Sequence, residues 1–150
     1  MASSTDVTET DETRALARVI HSEAGNQSMA EKRAIAWTAV NRAHNKNTTV
    51  AKMVCSPCGE GGGHRPFSSK LPPRMEDLTL ATEVLLSPKD ADPTYGAIAA
   101  FEPKLQDKLL SEGRKGYTKS AAMVRADWKT TLELYNTIGR WEFYGPKRKN

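Results

Sequence analysis

The chain has 150 residues, 38% of them apolar and 27% charged, which is room for one core and not for two. Mean hydropathy is −0.60, and no apolar run approaches the ~20 residues that cross a bilayer as a helix. Lys and Arg outnumber Asp and Glu by 22 to 18, a net charge of +4. That mild excess favours polyanionic surroundings (nucleic acid, anionic wall polymer or a membrane surface) without choosing among them.

The chain opens MASSTDVTET. It lacks the basic and apolar regions of a secretory leader, so no signal peptide is expected, and residues 1–10 read as a flexible leader. Thr10 can cap a helix. Asp11 and Glu12 suit its positive end, and Leu16, Val19, Ile20 and Glu23 share one face, with Gly25-Asn26 as the stop. Ser28-Met29-Ala30-Glu31 has capping-box spacing and opens a second, alanine-dense helix to about His44. From Asn45 to Pro73 the chain is rich in Pro and Gly, with one helical turn at Val50–Val54; a loop this long in a compact domain is usually functional.

A third helix is expected over Met75–Leu86, stopped by Ser87-Pro88, and Asp92-Pro93-Thr94-Tyr95-Gly96 reads as a turn. Ala97–Phe101 reads as a short strand and Lys104–Leu110 as a short helix. Ser120–Tyr135 reads as another helix, broken by Thr137-Ile138-Gly139. Arg140–Tyr144 alternates as a half-buried strand and can pair with Ala97–Phe101. The expected fold is mainly α (α+β), a helical domain over residues 11–145 with a small antiparallel ribbon. Residues 146–150, with Lys147, Arg148 and Lys149, form a basic tail.

Glu23 is the first candidate for chemistry. A carboxyl that continues an apolar face is turned from water, and desolvation raises its pKa because the charged form suffers most. A carboxylic acid still protonated near neutral pH can protonate a leaving glycosidic oxygen. Asn41 stands on an otherwise apolar helix, and a buried amide must find partners; it either bridges elements or holds a sugar acetamido group. Tyr95 and Tyr144 are candidate cleft aromatics.

Several segments in order carry a resemblance. Leu16 to Ala24, ending His21-Ser22-Glu23-Ala24, and then Val40-Asn41-Arg42 resemble the opening of the SleB-type cell-wall hydrolase family. Pro66-Phe67-Ser68, the block Asp92-Pro93-Thr94-Tyr95-Gly96-Ala97 with Phe101 and Pro103, and the ending Ile138-Gly139…Phe143-Tyr144 resemble its later segments. No single piece is specific, but the ordered set is, and it spans about Thr13 to Tyr144. The chain departs from the pattern at Pro66, where the family favours a polar amide, and at Trp141, where His is usual. Gly113–Tyr135 is also longer than in typical members.

The resemblance implies a lysozyme-like fold of the lytic transglycosylase kind, acting on the glycan strand of peptidoglycan with no cofactor or metal. Glu23 falls on the family's catalytic acid. It would protonate the oxygen between N-acetylmuramic acid (MurNAc) and N-acetylglucosamine (GlcNAc). Acting then as base on the muramic C6 hydroxyl, it would close a 1,6-anhydro ring; attack by water instead would make the enzyme a muramidase. Asn41, Ser68, Ser69, Tyr95 and Tyr144 are the expected substrate-binding residues. Without a leader, a wall-cutting enzyme made in the cytoplasm must be delivered by another route. An antibacterial effector injected into the target periplasm, with a small immunity protein that plugs its cleft, fits that expectation, as does release in phage lysis.

Three alternatives belong to other classes. Cys55-x2-Cys58 with His64 and His44 holds ligand types that zinc accepts, but one pair with scattered histidines lacks the spacing of a structural site; in an oxidising compartment the same pair can close a local disulfide. A nucleic-acid-binding module would suit the pI, yet the cations are interspersed with acids and no recognition motif is present. Neither nucleic acid nor a membrane is therefore expected as partner. The third alternative is a peptidoglycan-binding domain with a dead acid.

Overall fold

The computed structural model describes residues 10–54 and 72–148. The expectations for the leader, Cys55, Cys58, His64, Pro66, Ser68, Ser69 and the last two residues of the tail lie outside the described residues. Among those described are six α-helices and one three-stranded antiparallel sheet, so the protein is mainly α with a small β component.

Helix α1 (Asp11–Ala24) starts at Thr10, whose hydroxyl accepts from the Thr13 amide at 3.0 Å. Its apolar face buries Leu16, Val19 and Ile20 completely, each contributing roughly 1.5–3 kcal/mol over the exposed state. Helix α2 (Met29–Asn45) has the expected capping box of Ser28 and Glu31. It runs through the core, touching α1, the short helix α3 (Val50–Val54), helix α4 (Met75–Leu86) and two strands. Ala34, Ala36, Ala39 and Ala43 are all buried on it, which lets those neighbours approach closely. The Glu12 carboxylate caps α3, accepting from the Val50 amide at 2.7 Å and from Ala51 at 3.0 Å. Asp77, fully buried, accepts from Arg74 Nε at 2.6 Å and Lys32 Nζ at 3.4 Å, which clamps α4 to α2.

Strand β1 (Ala99–Phe101) leads into α5 (Pro103–Ser111), and α6 (Ala121–Trp128) precedes the hairpin β2 (Leu132–Ile138) and β3 (Trp141–Pro146). The sheet order is β1-β3-β2, with Ala99 opposite Tyr144 and Ile138 opposite Trp141. The expected ribbon of β1 and β3 is present, but the helix expected over Ser120–Tyr135 is not. It ends at Trp128, and Leu132 onward is the third strand. Turn bonds from Thr130 to Asp127 O and from Thr131 to Trp128 O release the chain from the helix. The apolar residues Leu132 and Tyr135 then serve a strand with a bulge between Leu134 and Asn136, which breaks the period-two signal that would betray it.

Gly139 and Gly25 hold close approaches, as Gly145 does against the Tyr135 ring. Gly139 turns the hairpin at φ +60°, where an added Cβ would strike the Glu31 carboxylate. Gly25 ends α1 in ordinary right-handed geometry, not in the left-handed conformation expected of a helix-terminating glycine. Its carbonyl accepts from Arg74 Nη2 at 3.1 Å, so its use is contact with the start of α4.

Candidate active site

Glu23 sits in the last turn of α1, half-buried, beside a narrow cleft lined by Val19, Ile35, Thr38, Ala39, Arg42, Ala99, Ala100 and Trp141. Successive turns of α1 and α2 supply Val19, Glu23, Ile35, Thr38, Ala39 and Arg42, and the sheet supplies Ala99, Ala100 and Trp141. The cleft encloses about 50 Å³, room for a group of a few heavy atoms and not for a six-membered ring. No described residue makes a hydrogen bond or ion pair to the Glu23 carboxyl. Burial pushes its pKa up to about 7, and the charge of Glu102 adds to the rise.

Glu102 is a residue that sequence reasoning missed. It follows β1 at the start of α5, and its side chain is mostly buried. Gln27 Nε2 donates to it at 3.2 Å, and Arg140 Nε lies 4.0 Å away. Burial raises its pKa too, against the opposing Gln27 hydrogen bond and Arg140 charge. Trp141, read in the sequence as a departure from the family pattern, lines the cleft and donates its indole N–H to Gln27 Oε1. Gln27 thus ties the cleft wall to the second carboxyl. Arg140 in turn is anchored by Glu31, which accepts from the Arg140 amide at 2.9 Å and its Nε at 3.2 Å. Burial alone would raise Glu31; the hydrogen bonds from Arg140 and Ser28 outweigh it and hold the pKa below the usual carboxylate range.

The other expected site residues fall elsewhere. Asn41 is buried, and its amide donates to Asp92 Oδ2 at 2.8 Å and to the Ala97 carbonyl at 3.0 Å. Both amide hydrogens are committed, so Asn41 is a bridge and not a donor to substrate. Asp92 also accepts from the Thr94 amide and hydroxyl at 2.8 and 2.7 Å and from the Gly96 amide at 2.8 Å. The Asp-Pro-Thr-Tyr-Gly turn is therefore a carboxylate-centred knot that fixes where β1 begins. Tyr95 is 66% exposed on that turn at φ +59° and does not line the cleft. Tyr144 lies on the sheet face opposite Trp141 and Phe143, packed edge-on to Trp128 at 5.1 Å, with its hydroxyl donating to Glu142 at 2.7 Å. Strand alternation places it away from Glu23.

A second depression is larger, about 470 Å³, and lies against α6 and the β2–β3 hairpin, lined by Arg125, Lys129, Glu133, Tyr144, Lys147, Arg148 and two leucines. Among the described residues no cluster of three or more His, Cys, Asp or Glu is placed to hold a metal ion, and no helix is long and apolar enough to cross a membrane. No family model, curated protein or solved structure matches the chain.

Proposed function

We propose that the protein cleaves the β-1,4 bond between MurNAc and GlcNAc in peptidoglycan, with Glu23 as acid and then base. The observation that carries this reading is a carboxyl, without a polar partner among the described residues, held at a cleft with its pKa raised to about 7. Such a group is half protonated at neutral pH, which suits both proton donation and its reversal. In the first step Glu23 gives its proton to the glycosidic oxygen as that bond breaks. In the second the resulting carboxylate takes the proton of the muramic C6 hydroxyl while that oxygen closes on C1. The buried carboxyl disfavours its own anion, so the proton returns to it readily. The meeting of Asn41, Asp92, Thr94 and Ala97 in one knot supports the reading further, because it joins two of the segments that carry the SleB-type resemblance.

One observation favours a second outcome at the same bond. Glu102 lies close enough for its charge to be felt at Glu23, and a second carboxylate can orient water and give hydrolysis to a reducing end. Purified peptidoglycan digested with the protein tests both. Anhydro-muramic ends, one water lighter than reducing ends, mark the transglycosylase, and reducing ends mark the muramidase. Intact strands would overturn the reading.

A further inference from the structure

We propose that Arg42 forms a carboxylate-binding subsite in the cleft beside Glu23 and recognises the carboxylate of a muramyl unit. The inference rests on the glycan-cleaving reading for its ligand, and on geometry for the site. Arg42 lies one turn beyond Thr38 on α2, and both line the cleft. Glu23 lines the same cleft but is not paired with it, and Val19, Ile35, Ala39, Ala99 and Ala100 offer no acceptor side chain. No hydrogen bond or ion pair from a described residue reaches its guanidinium. Arg74, Arg125 and Arg140 differ, for each lies against a carboxylate, that of Asp77, Glu142 or Glu31. A half-buried cation without an anion is costly, and burial lowers its pKa, yet a guanidinium stays charged at neutral pH.

Size and chemistry narrow the ligand. The cleft's 50 Å³ excludes a ring and admits a group of a few heavy atoms. The guanidinium fork matches the two oxygens of a carboxylate. Thr38 Oγ1 already donates to the Ala34 carbonyl at 2.8 Å, which leaves Arg42 as the donor. Of the two sugars in the strand only the muramic one carries an acid, as its lactyl ether; in peptide-bearing strands that acid is amidated and the carboxylate moves to the peptide. The shared chemistry is a carboxylate tethered to a muramyl ring.

The test is an NMR titration of the full chain, followed at the Trp141 indole N–H. The ligands are N-acetylmuramic acid, its methyl ester, N-acetylglucosamine and an N-acetylmuramoyl dipeptide. N-acetylmuramic acid should bind more tightly than its ester or N-acetylglucosamine, and Arg42→Gln should weaken it about tenfold or more, with Arg42→Lys between. The ester comparison uses the unaltered protein and so does not depend on any variant folding. Arg42-dependent binding of the dipeptide alone would keep the subsite and move the carboxylate to the peptide. Equal binding of acid and ester, with no loss in Arg42→Gln, would overturn the proposal. Carboxylate binding through Arg42 without strand cleavage would remove the enzymatic reading and leave the subsite; cleavage indifferent to Arg42 would do the reverse.

Discussion

The cleft at Glu23 and the groove beside α6 make opposite use of charge. The groove is roughly nine times larger by volume, 470 against 50 Å³, but several of its polar groups are satisfied. Arg125 binds both oxygens of Glu142, and Glu133 accepts from the Arg148 amide, while the Arg148 guanidinium stacks 3.8 Å above the Tyr135 ring. In the cleft a carboxyl and a guanidinium stand without partners among the described residues, beside largely apolar neighbours. Space alone does not mark a candidate reactive site. A desolvated group whose protonation is poised near neutral pH does, and it is costly to the fold, whereas paired surface charges contribute little either way.

The largest effect that separates the two regions is on cleavage. Glu23→Gln should lower strand cleavage by about 10²–10⁴-fold, while Lys129→Ala in the groove should leave it within twofold; equal losses in a turnover assay would erase the distinction. Next comes the knot that positions β1, and with it the cleft wall. Asp92→Ala leaves the Thr94 and Gly96 amides and the Asn41 amide without their acceptor, and should cost about 3 kcal/mol in urea unfolding.

Stability should also reveal the cost of the buried acid. The folded pKa of Glu23 lies above its unfolded value, so the folded state binds the proton more tightly. Its contribution to stability is full below pH 4.5 and is lost as pH rises to about 7. Glu23→Gln should therefore unfold about 1–3 kcal/mol later than the parent at pH 8 and no later at pH 4, whereas Lys129→Ala should stay within about 0.5 kcal/mol at both. A smaller effect sharpens the role of the second carboxyl. Glu102→Gln removes a like charge, so the fall of activity with rising pH should begin at lower pH than in the parent. An unmoved profile would show Glu102 to be without influence on Glu23.

Much of this was legible in the sequence because it was local. The Thr10 cap, the Ser28–Glu31 capping box, the breakers and the 3–4 spacing of Leu16, Val19, Ile20 and Glu23 delimit α1, α2 and α4 and turn Glu23 inward. The misreadings share a cause: they needed long-range contacts. The bulge in β2 hid a strand behind helix-compatible apolar spacing. Tyr144 was placed by alternation about a central strand whose register is set by partners on both sides. Glu102 is polar and stands in no motif; only the pairing of β1 with β3 brings it beside Gln27 and into the field of Glu23. Asn41 was recognisable as a buried amide in need of partners, but the partners, Asp92 and Ala97, lie in a distant turn.

The central claim is that the Glu23 carboxyl holds its proton near neutral pH. Carboxyl ¹³C NMR of the full chain, with Glu23→Gln to assign the signal, measures this directly. A titration midpoint near 7 is what the account predicts; a midpoint near 4.5, the value of an exposed glutamate, would contradict it.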